Sequence, residues 1–487
     1  MNLETHSPTS SGQSLSAEQK ESFLLEYQEN PISFCRQILG VNPWEKQMEI
    51  LNSVRDHPRT AVRSCTTAGK TEIASSVALW FLYCFYPSTV ITTAPTFRQV
   101  KSIIWKKIRA QHRGARCVLG GDPLETELKL DEKWFAMGIS TKEPDRLQGY
   151  HNINFLVVID EAPGVSQDIF DAVENVMASG GNVRILMLGN PSALSGEFHA
   201  AFHSKREIYN LIHITAYDTP NVKAGRIIIP GLITSEWIEE RRKIWGPESP
   251  LFLVKVEGSF PKSETDTLIP VDWVERAVFR LDEVKAQGDA VIGCDPARYG
   301  EDETVIAVRR GSKIVKLICY NGMDTMQTVG NIIQVYNEYR PAKIRVDSIG
   351  IGAGVVDRLA EQNYPVEGIN VGEVASDSEM FVNLRSELWW KLREELDPNN
   401  ENAIALPKDD ILLGQLTSVK FKVSSTRGKI QIESKEEMKK RGLRSPDRAE
   451  AIMLTLSVGS HGGGFLDWMK QEVQEREGRD AAKGKPG

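Results

Sequence analysis

Short apolar runs alternate with amphipathic runs along most of the chain, and this alternation predicts two lobes of mixed α/β structure. The apolar runs of the first lobe lie at residues 61–62, 89–94, 155–159 and 184–188, and those of the second at 290–294, 304–309, 314–320 and 343–346. Strands that alternate with helices are typical of sheets whose faces are covered by helices. Residues 235–245 and 271–279 predict two further helices between the lobes.

Breaks in this pattern indicate the domain boundaries. Residues 1–17 and 461–487 are polar and lack apolar periodicity, so we expect a disordered tail and a flexible tail there. The first α/β domain is predicted at 18–225 and the second at 286–460. Residues 226–262 predict a small subdomain, and the polar stretch that follows predicts a linker at 263–285.

Composition narrows the function classes without naming one. The chain has 487 residues and a net charge of −7, so any nucleic acid has to be bound through local basic patches. Six scattered cysteines form no CxxC pair, which argues against a zinc site and for a reducing compartment. The polar N-terminus predicts no secretion signal, and the longest apolar stretch, 77–86, is too short to span a membrane.

The segment SCTTAGKT has the spacing of a phosphate-binding loop between a strand and a helix, with Ser64 where a glycine is usual. Such a loop wraps backbone N–H groups around phosphate oxygens. Lys70 is expected to reach the β- and γ-phosphates of a nucleotide, and the Thr71 hydroxyl to bind Mg²⁺. A chance loop is an equally good explanation of this segment alone. The predicted cofactor-binding residues are Ser64, Cys65, Thr66, Thr67, Ala68, Gly69, Lys70 and Thr71.

Two carboxylates follow a buried apolar strand about ninety residues later. In FLVVIDEA, Asp160 is predicted to hold Mg²⁺ and Glu161 to polarise the attacking water. An exposed turn after a strand would explain the pair by itself. Because the phosphate loop and the acidic strand occur in the order expected of a single nucleotide site, that explanation is much weaker for the two motifs together.

Five further residues are candidates for the same site. Trp44 and Gln47 are predicted to stack on and hydrogen-bond an adenine, although a core Trp at a helix start is an equal alternative. Asn190 ends the strand RILMLGNP and is predicted to sense the γ-phosphate, unless it only forms an Asn-Pro turn. Arg63 and Arg146 are candidates for stabilising transition-state charge, with an ordinary surface Arg as the alternative for each.

The second lobe has three acids at informative positions. Asp295 and Asp347 end apolar strands, and Asp447 begins a predicted helix. This layout is that of an RNase H-like nuclease, in which carboxylates hold two Mg²⁺ or Mn²⁺ ions. Asp302 is a possible fourth acid. Asp residues also commonly end strands and cap helices, which is the alternative for each one alone.

Two basic runs are candidates for binding DNA. Residues 101–116 contain six Lys or Arg and no acid, and residues 420–448 contain ten against four acids. Phosphate contacts need only such local density. A solvated helix face explains the first run nearly as well, whereas the second run leads directly to Asp447.

Together these motifs resemble those of the large terminase subunits of tailed bacteriophages, over residues 30 to 460. VRSCTTAGKT looks like the family's Arg-led P-loop, VVIDEA like its Walker B motif and MLGNP like its coupling motif. DPARYGEDET, VDSIGIG and SPDRAEAI look like its nuclease motifs. The resemblance implies a P-loop ATPase of the ASCE/RecA-like class with a lid at 226–262, and an RNase H-like nuclease domain.

The resemblance also implies a function and partners. ATP hydrolysis would move double-stranded DNA into a procapsid, and a two-metal endonuclease would cut concatemeric DNA. Implied partners are the portal protein, the procapsid, the small terminase subunit and further copies in a ring, with a monomer possible in isolation, in the bacterial cytoplasm. The family's Arg that reaches a neighbouring subunit is not matched, because Gln148 precedes Gly149 and the nearest basic residue is Arg146.

Two other functions remain open from the residues. A repair helicase-nuclease would use similar motifs, but it usually has two RecA-like lobes, and one P-loop set is found here. An ATP-switched DNA-binding scaffold with an inactive nuclease fold is the other, and the three intact Asp residues argue against it.

Overall fold

A computed structural model describes residues 25–141, 150, 152–178, 180–261, 266–297, 302–423 and 429–456. The chain divides into two compact units, Met1–Thr265 with Pro270–Asp272 and Asp266–Ile269 with Trp273–Gly487. The predicted tails and residues 263–265 of the predicted linker lie outside the described residues, and residues 273–285 belong to the second unit. Within the described ranges, no helix combines the length and apolarity needed to cross a membrane.

The first unit contains an eight-stranded sheet with the order β3-β4-β5-β2-β6-β7-β1-β8. Its strands are β1 (Arg59–Ser64), β2 (Ser88–Thr93), β3 (Asp122–Pro123), β4 (Glu127–Asp131), β5 (Trp134–Gly138), β6 (Asn154–Ile159), β7 (Asn182–Gly189) and β8 (Asn210–Ile214). Strands β2, β6, β7, β1 and β8 are parallel neighbours. The phosphate-loop strand β1 is therefore separated from the acidic strand β6 by β7, which is the order of an ASCE-class ATPase.

This parallel sheet explains why its strands are nearly continuous apolar runs. Residues Phe155 to Ile159 of β6 are fully buried, because helices cover both faces of a parallel sheet. The helix Lys70–Cys84 begins directly after the phosphate loop, and twelve of its residues are buried. The helix expected after the phosphate-loop motif is therefore present as Lys70–Cys84.

The second unit contains a five-stranded sheet with the order β11-β10-β9-β12-β13. Its strands are β9 (Ala290–Asp295), β10 (Thr304–Arg310), β11 (Lys313–Tyr320), β12 (Lys343–Asp347) and β13 (Val366–Ile369). Strands β9, β10 and β11 are antiparallel neighbours, and β12 and β13 run parallel to β9. This is the RNase H-like arrangement. A separate antiparallel pair, β14 (Phe421–Val423) and β15 (Ile430–Ile432), lies in the second basic run.

Gly293 allows the helix Asp447–Leu454 to pack directly on β9. A Cβ atom at this position would lie 2.1 Å from the carbonyl oxygen of Ala451. Any larger residue would therefore push the helix away from the strand. The position of that helix matters, because it carries Asp447 at its first residue.

The eight strands predicted from apolar runs are present, with boundaries shifted by one or two residues. Strands β3, β4, β5, β8 and β13 were not predicted. The burial pattern of β4 and β13 mixes exposed and buried positions, so neither gives a continuous apolar signal. The predicted helices at 235–245 and 271–279 are found with the same bounds, Ser235–Trp245 and Val271–Phe279.

The remaining helices include short turns as well as full elements. They are Pro31–Ser33, Phe34–Leu39, Glu45–Asp56, Phe97–Gln99, Val100–Ile104, Trp105–Arg113, Ala162–Gly164, Gln167–Met177, Gly196–Phe202, Ala216–Asp218, Pro220–Ala224, Pro250–Lys255, Arg280–Asp282, Thr325–Tyr339, Gly352–Glu361, Leu384–Leu396, Asp410–Ser418 and Lys435–Lys440.

Candidate functional site

The first unit has a cavity of about 530 Å³ at the predicted phosphate loop. This volume lies in the range of small-molecule sites, roughly 300–1,000 Å³. Predicted residues that line it are Trp44, Gln47, Thr66, Thr67, Ala68, Gly69, Lys70, Thr71, Glu161 and Asn190. The fold therefore brings residues from distant segments to one cavity.

The phosphate loop is held by its own backbone. The Lys70 side chain is buried, and its Nζ donates to the Cys65 carbonyl at 3.3 Å, so the ammonium points back into the loop. Gly69 has a φ of +76°, and a Cβ there would lie 2.8 Å from Nε2 of Gln47. The glycine of the motif is thus favoured by its backbone conformation, and a larger residue would also displace the Gln47 amide.

Thr71 and Asp160 are in direct contact. The Thr71 hydroxyl donates to Oδ2 of Asp160 at 2.8 Å, and the Glu161 backbone N–H donates to Oδ1 at 3.0 Å. Burial, and next the charge of Glu161, raise the pKa of the Asp160 carboxyl to about 6. A cation beside these oxygens would favour the ionised carboxylate.

Two cavity residues adopt a backbone conformation that side chains other than Gly rarely adopt. Thr67 has a φ of 52° and Glu161 a φ of 49°. Such positions cost on the order of 1–3 kcal/mol and cluster at functional sites. The turn at Glu161 brings its side chain to the cavity wall directly after the buried Asp160.

Two buried amides connect the phosphate loop to its surroundings. Nε2 of Gln47 donates to the Gly69 carbonyl at 3.1 Å, and its Oε1 accepts from the Trp44 N–H at 3.2 Å. Nδ2 of Asn190 donates to the Ser64 carbonyl at 2.7 Å. Both amides therefore hold the loop in the present structure, and both also face the cavity.

The two predicted arginines do not contribute to this cavity in the structure. Arg63 is not among the lining residues, and its guanidinium lies over the rings of Phe202 and Phe260 at 5.5 and 5.9 Å. Alternation along β1 explains this, because a strand residue points to the opposite face from its neighbours. Arg146 lies outside the described residues. Ser64 and Cys65 are buried beneath the loop and do not line the cavity.

Sequence reasoning missed several residues of the cavity wall. Lys107 and Glu72 both line it and form an ion pair at 2.6 Å. Glu72 directly follows the GKT motif, so its position could have been inferred. Lys107 was assigned only to a basic run. Residues 229–232, from the predicted lid, also line the cavity.

In the second unit, Asp295 and Asp347 lie at the same end of adjacent strands. The register pairs Val346 of β12 with Cys294 of β9, so the next residue of each strand is one of the two acids. Asp295 is buried and Asp347 is partly buried. Oδ1 of Asp347 accepts from the Ile349 N–H at 3.0 Å.

A lysine lies among the acids of this end. Nζ of Lys435 is 3.3 Å from Oδ2 of Asp295, 3.6 Å from Oδ1 of Asp447 and 2.8 Å from Oε2 of Glu450. Asp447 and Glu450 belong to one helix, three residues apart, and therefore lie on one face. We refer to Asp295, Asp347, Asp447 and Glu450 as the carboxylate cluster.

Burial and mutual repulsion disfavour the ionised acids in this cluster. Burial raises the pKa of Asp295 well above its usual range, and it raises that of Asp447 to about 6. Burial also raises the pKa of Asp347. Burial opposes ionisation of Glu450, but Arg385 and Lys435 outweigh it and hold its pKa below the usual value. The positive charge of Lys435 and Arg385 is thus too small to offset the cost of burying all four carboxylates in their ionised form.

The donor set of the cluster fits a hard divalent cation, because all its ligand atoms are carboxylate oxygens. The present side-chain arrangement does not by itself make a cation site. Among the residues that the structure describes, no group of three or more His, Cys, Asp or Glu is arranged to hold a metal ion. The Lys435 ammonium occupies the space between three of the carboxylates, so it would have to withdraw.

Neither Glu450 nor Lys435 was predicted from the sequence. The spacing of three residues after Asp447 was a usable signal for Glu450. Lys435 carried no such signal. Asp302, the possible fourth acid, is more exposed and pairs with Lys439 at 3.6 Å, while the adjacent Glu303 N–H donates to Asp447 at 2.9 Å.

Comparison with known proteins finds large terminase subunits. The chain is 26% identical over 449 residues to the probable large terminase subunit of Enterobacteria phage P7, covering 84% of this chain and 87% of that protein. The predicted resemblance to large terminase subunits is confirmed. The terminase similarity extends into both compact units, since 84% of the chain exceeds either unit alone. No protein-family model matches the chain.

Solved structures with similarity to this chain also come from large terminases. The large terminase of a thermophilic bacteriophage is 12% identical, with a TM-score of 0.40, and the match covers 86% of this chain and all of that one. The nuclease domain of the large terminase subunit gp2 of bacterial virus Sf6 is 21% identical, with a TM-score of 0.36, and covers 40% of this chain and all of that one. Similarity at this level says nothing about the activity of the present chain.

Proposed function

We propose that this protein is the ATPase and nuclease subunit of a viral genome-packaging motor. It would hydrolyse ATP to move double-stranded DNA into a procapsid and cut concatemeric DNA with its second unit. The observation that supports this most strongly is the presence of two chemically distinct sites in two compact units, a phosphate-loop cavity and a carboxylate cluster. The similarity to the phage P7 terminase supports the same proposal.

In the first unit, the proposed ligand is ATP with Mg²⁺. The phosphate loop would bind the phosphates, and Lys70 would exchange its bond to the Cys65 carbonyl for a phosphate oxygen. Thr71 and Asp160, already 2.8 Å apart, would hold Mg²⁺, which neutralises charge on the phosphates when bound. Glu161, placed at the cavity wall by its turn, would orient the attacking water.

Other cavity residues would position the nucleotide. Trp44 and Gln47 would contact the base, and Asn190 would link the γ-phosphate to the Ser64 carbonyl through its amide. Lys107 is the cation of the cavity that sequence reasoning missed, and it would supply positive charge to the phosphates after leaving Glu72. Residues 226–262 would act as the lid, because residues 229–232 already line the cavity.

In the second unit, Asp295, Asp347, Asp447 and Glu450 would hold Mg²⁺ or Mn²⁺, with Asp302 at the edge. Divalent ions held this way activate water and stabilise a leaving oxygen. The protein's own contribution is to keep the carboxylates buried and converging, and Lys435 would withdraw from them when the ions bind. Arg385 would orient Glu450, since its Nε donates to Oε1 at 2.8 Å.

Double-stranded DNA would contact the basic runs. In the first run, Lys101 and Lys107 already pair with acids. In the second run, most cations are paired, but Lys429, Lys440 and Arg444 have no ion pair among the described residues. These three flank the carboxylate cluster in the sequence and are the first candidates for phosphate contacts.

The remaining partners follow from the proposed role. The portal protein, the procapsid, the small terminase subunit and further copies of this chain in a ring would be contacted in the bacterial host's cytoplasm. A packaging ATPase should be stimulated by procapsids, whereas a helicase-nuclease should be stimulated by single-stranded DNA. Stimulation by single-stranded DNA alone would replace the packaging proposal with the helicase alternative.

The nuclease half is tested first with supercoiled plasmid and Mn²⁺. We expect the wild-type protein to nick and linearise the plasmid and Asp295→Asn to leave it intact. Cutting by both proteins would place the nuclease site elsewhere or indicate contamination. Absence of cutting and of Mn²⁺ binding in the wild type would favour the ATP-switched scaffold.

A further inference from the structure

A second, smaller cavity of about 280 Å³ lies in the first unit. It is separate from the cavity at the phosphate loop, which we refer to as the nucleotide cavity after its proposed ligand. The walls of the smaller cavity contain two arginines, two histidines and no acid. The residues that line this cavity are Arg63, Phe202, His203, Arg206, Leu211, Ile212 and His213. None of these residues lines the nucleotide cavity, so the two cavities are separate.

Arg63 lines this cavity and has no counter-ion in the part of the chain that the structure describes. Among the described residues, no carboxylate forms a hydrogen bond or ion pair with its guanidinium, which contacts the Phe202 and Phe260 rings instead. Partial burial lowers the pKa of Arg63, and no acid counteracts this effect. A partly buried cation without a counter-ion is costly, because it loses water and gains no opposite charge.

The histidines of the cavity have one ring nitrogen each committed to the backbone. Nε2 of His213 lies 2.7 Å from the Glu257 carbonyl and therefore carries a hydrogen, which leaves Nδ1 as the acceptor for Arg63 at 3.5 Å. Nδ1 of His203 donates to the His199 carbonyl at 2.8 Å, so the Nε2 of the neutral ring is an acceptor and does not donate to a phosphate.

Arg206 adds an exposed positive charge at the rim. It has no ion pair among the residues that the structure describes, in contrast to its neighbour Lys205, which pairs with Glu197 at 2.7 Å. Arg63 and Arg206 thus both line the same small cavity. Guanidinium groups match the geometry of phosphate oxygens through paired N–H donors.

We propose that this cavity is a second phosphate site, which binds a phosphate group between Arg63 and Arg206. The phosphate belongs either to a DNA backbone, which rests on the proposed function, or to free phosphate. The site adjoins the phosphate loop through β1, since Arg63 precedes Ser64, whose carbonyl accepts from Asn190. Binding of a phosphate group at this site would therefore affect the position of the phosphate loop.

The test uses the full-length protein with Arg206→Gln as the main variant, because Arg206 is exposed and its loss does not disturb the fold. Arg63→Gln is the second variant, and Lys243→Gln removes an exposed charge of the same unit as a control. Affinity for a 30-base-pair duplex is measured against salt concentration. Stabilisation by inorganic phosphate at constant ionic strength is measured in a Lys70→Ala background, which removes the phosphate loop as a competitor.

If DNA is the source, Arg206→Gln lowers the duplex affinity several-fold and reduces the salt slope by about 1, and Lys243→Gln does neither. If free phosphate is the source, the rise in melting temperature on adding phosphate is lost in Arg206→Gln and Arg63→Gln only. Unchanged binding in both assays overturns the proposal. So does a change confined to self-association, which would assign the cavity to an acid of a neighbouring copy. ATP hydrolysis by the wild type, measured separately, reports on the proposed function alone.

Discussion

The nucleotide cavity and the carboxylate cluster handle buried charge in opposite ways. In the cavity, positive and negative groups are balanced by local contacts, with Lys70 on the Cys65 carbonyl and Asp160 accepting from Thr71. In the cluster, four acids converge and the Lys435 ammonium fills the space between three of them. The cavity would therefore be ready to receive the proposed nucleotide, whereas the cluster would have to exchange the Lys435 ammonium for a metal ion from solution.

This difference predicts how the two sites respond to substitution. The Glu161 side chain can be changed with little effect on stability, because it lies at the wall of the cavity. A residue of the cluster changes both the chemistry and the free energy of unfolding, because each carboxylate is balanced by a small number of cations. The predictions below test that contrast in order of expected effect.

The largest effect is expected for Glu161→Gln, which removes the carboxylate proposed to orient water and keeps the shape of the side chain. ATP turnover should fall by about 10²- to 10⁴-fold, while plasmid cutting and the melting temperature stay at wild-type levels. Lys70→Ala should abolish ATP hydrolysis in the same selective way. Loss of plasmid cutting in either folded variant would show that the two sites are not independent.

Asp295→Asn should reduce plasmid cutting by more than about 100-fold, since changing even an outer partner of a metal ligand costs 10- to 100-fold. ATP turnover should remain within about twofold of the wild type. Asp302→Asn is the comparison variant: Asp302 pairs with Lys439 among the described residues and is proposed only at the edge of the site, so a smaller loss of cutting is expected. An equal loss of cutting in both variants would show that Asp302 acts as a member of the carboxylate cluster. Reduced ATP turnover in folded Asp295→Asn would contradict the separation of the two sites.

Lys435→Met should destabilise the protein in the absence of divalent ions and strengthen its response to them. Removal of the ammonium leaves Asp295, Asp447 and Glu450 without their shared partner; because 34% of the Lys435 side chain is exposed, solvent limits the cost to about 1–3 kcal/mol. Differential scanning calorimetry with and without Mn²⁺ measures both effects.

The control for Lys435 is Lys439→Met, which breaks an exposed pair and should change stability by less than about 1 kcal/mol. Mn²⁺ should raise the melting temperature of Lys435→Met by more than it raises that of the wild type or of Lys439→Met. An equal Mn²⁺ shift in all three proteins would mean that Lys435 does not compete with the ion.

The smallest effect is expected for Trp44, which lines the nucleotide cavity. Trp44→Ala should raise the KM for ATP about 10-fold with little change in kcat, because stacking on a base is worth about 1–3 kcal/mol. Trp44→Phe keeps an aromatic face and should retain most of the affinity, which separates stacking from a folding defect. A normal KM in folded Trp44→Ala would assign the side chain to the core.

The two units also differ in how far the sequence reveals their sites. The phosphate loop consists of eight consecutive residues, Ser64 to Thr71, whose spacing is set by local backbone geometry. The loop was therefore predictable from the sequence. The strand-end acids Asp160, Asp295 and Asp347 were predictable for the same reason, because an apolar run that ends in a carboxylate signals its position at a sheet edge. Local chemistry was sufficient in each case.

Tertiary structure alone decided the rest. Arg63 lies in β1, the strand that leads into the phosphate loop. Alternation along β1 nevertheless points its side chain to a separate cavity, where its guanidinium lies over the Phe202 and Phe260 rings. Lys435 lies 140 residues from Asp295 in the chain, and their contact depends on how the helix Lys435–Lys440 packs. Periodicity and spacing record the neighbours of a residue along the chain. A contact between distant segments depends on the packing of whole elements, which no short stretch of sequence encodes.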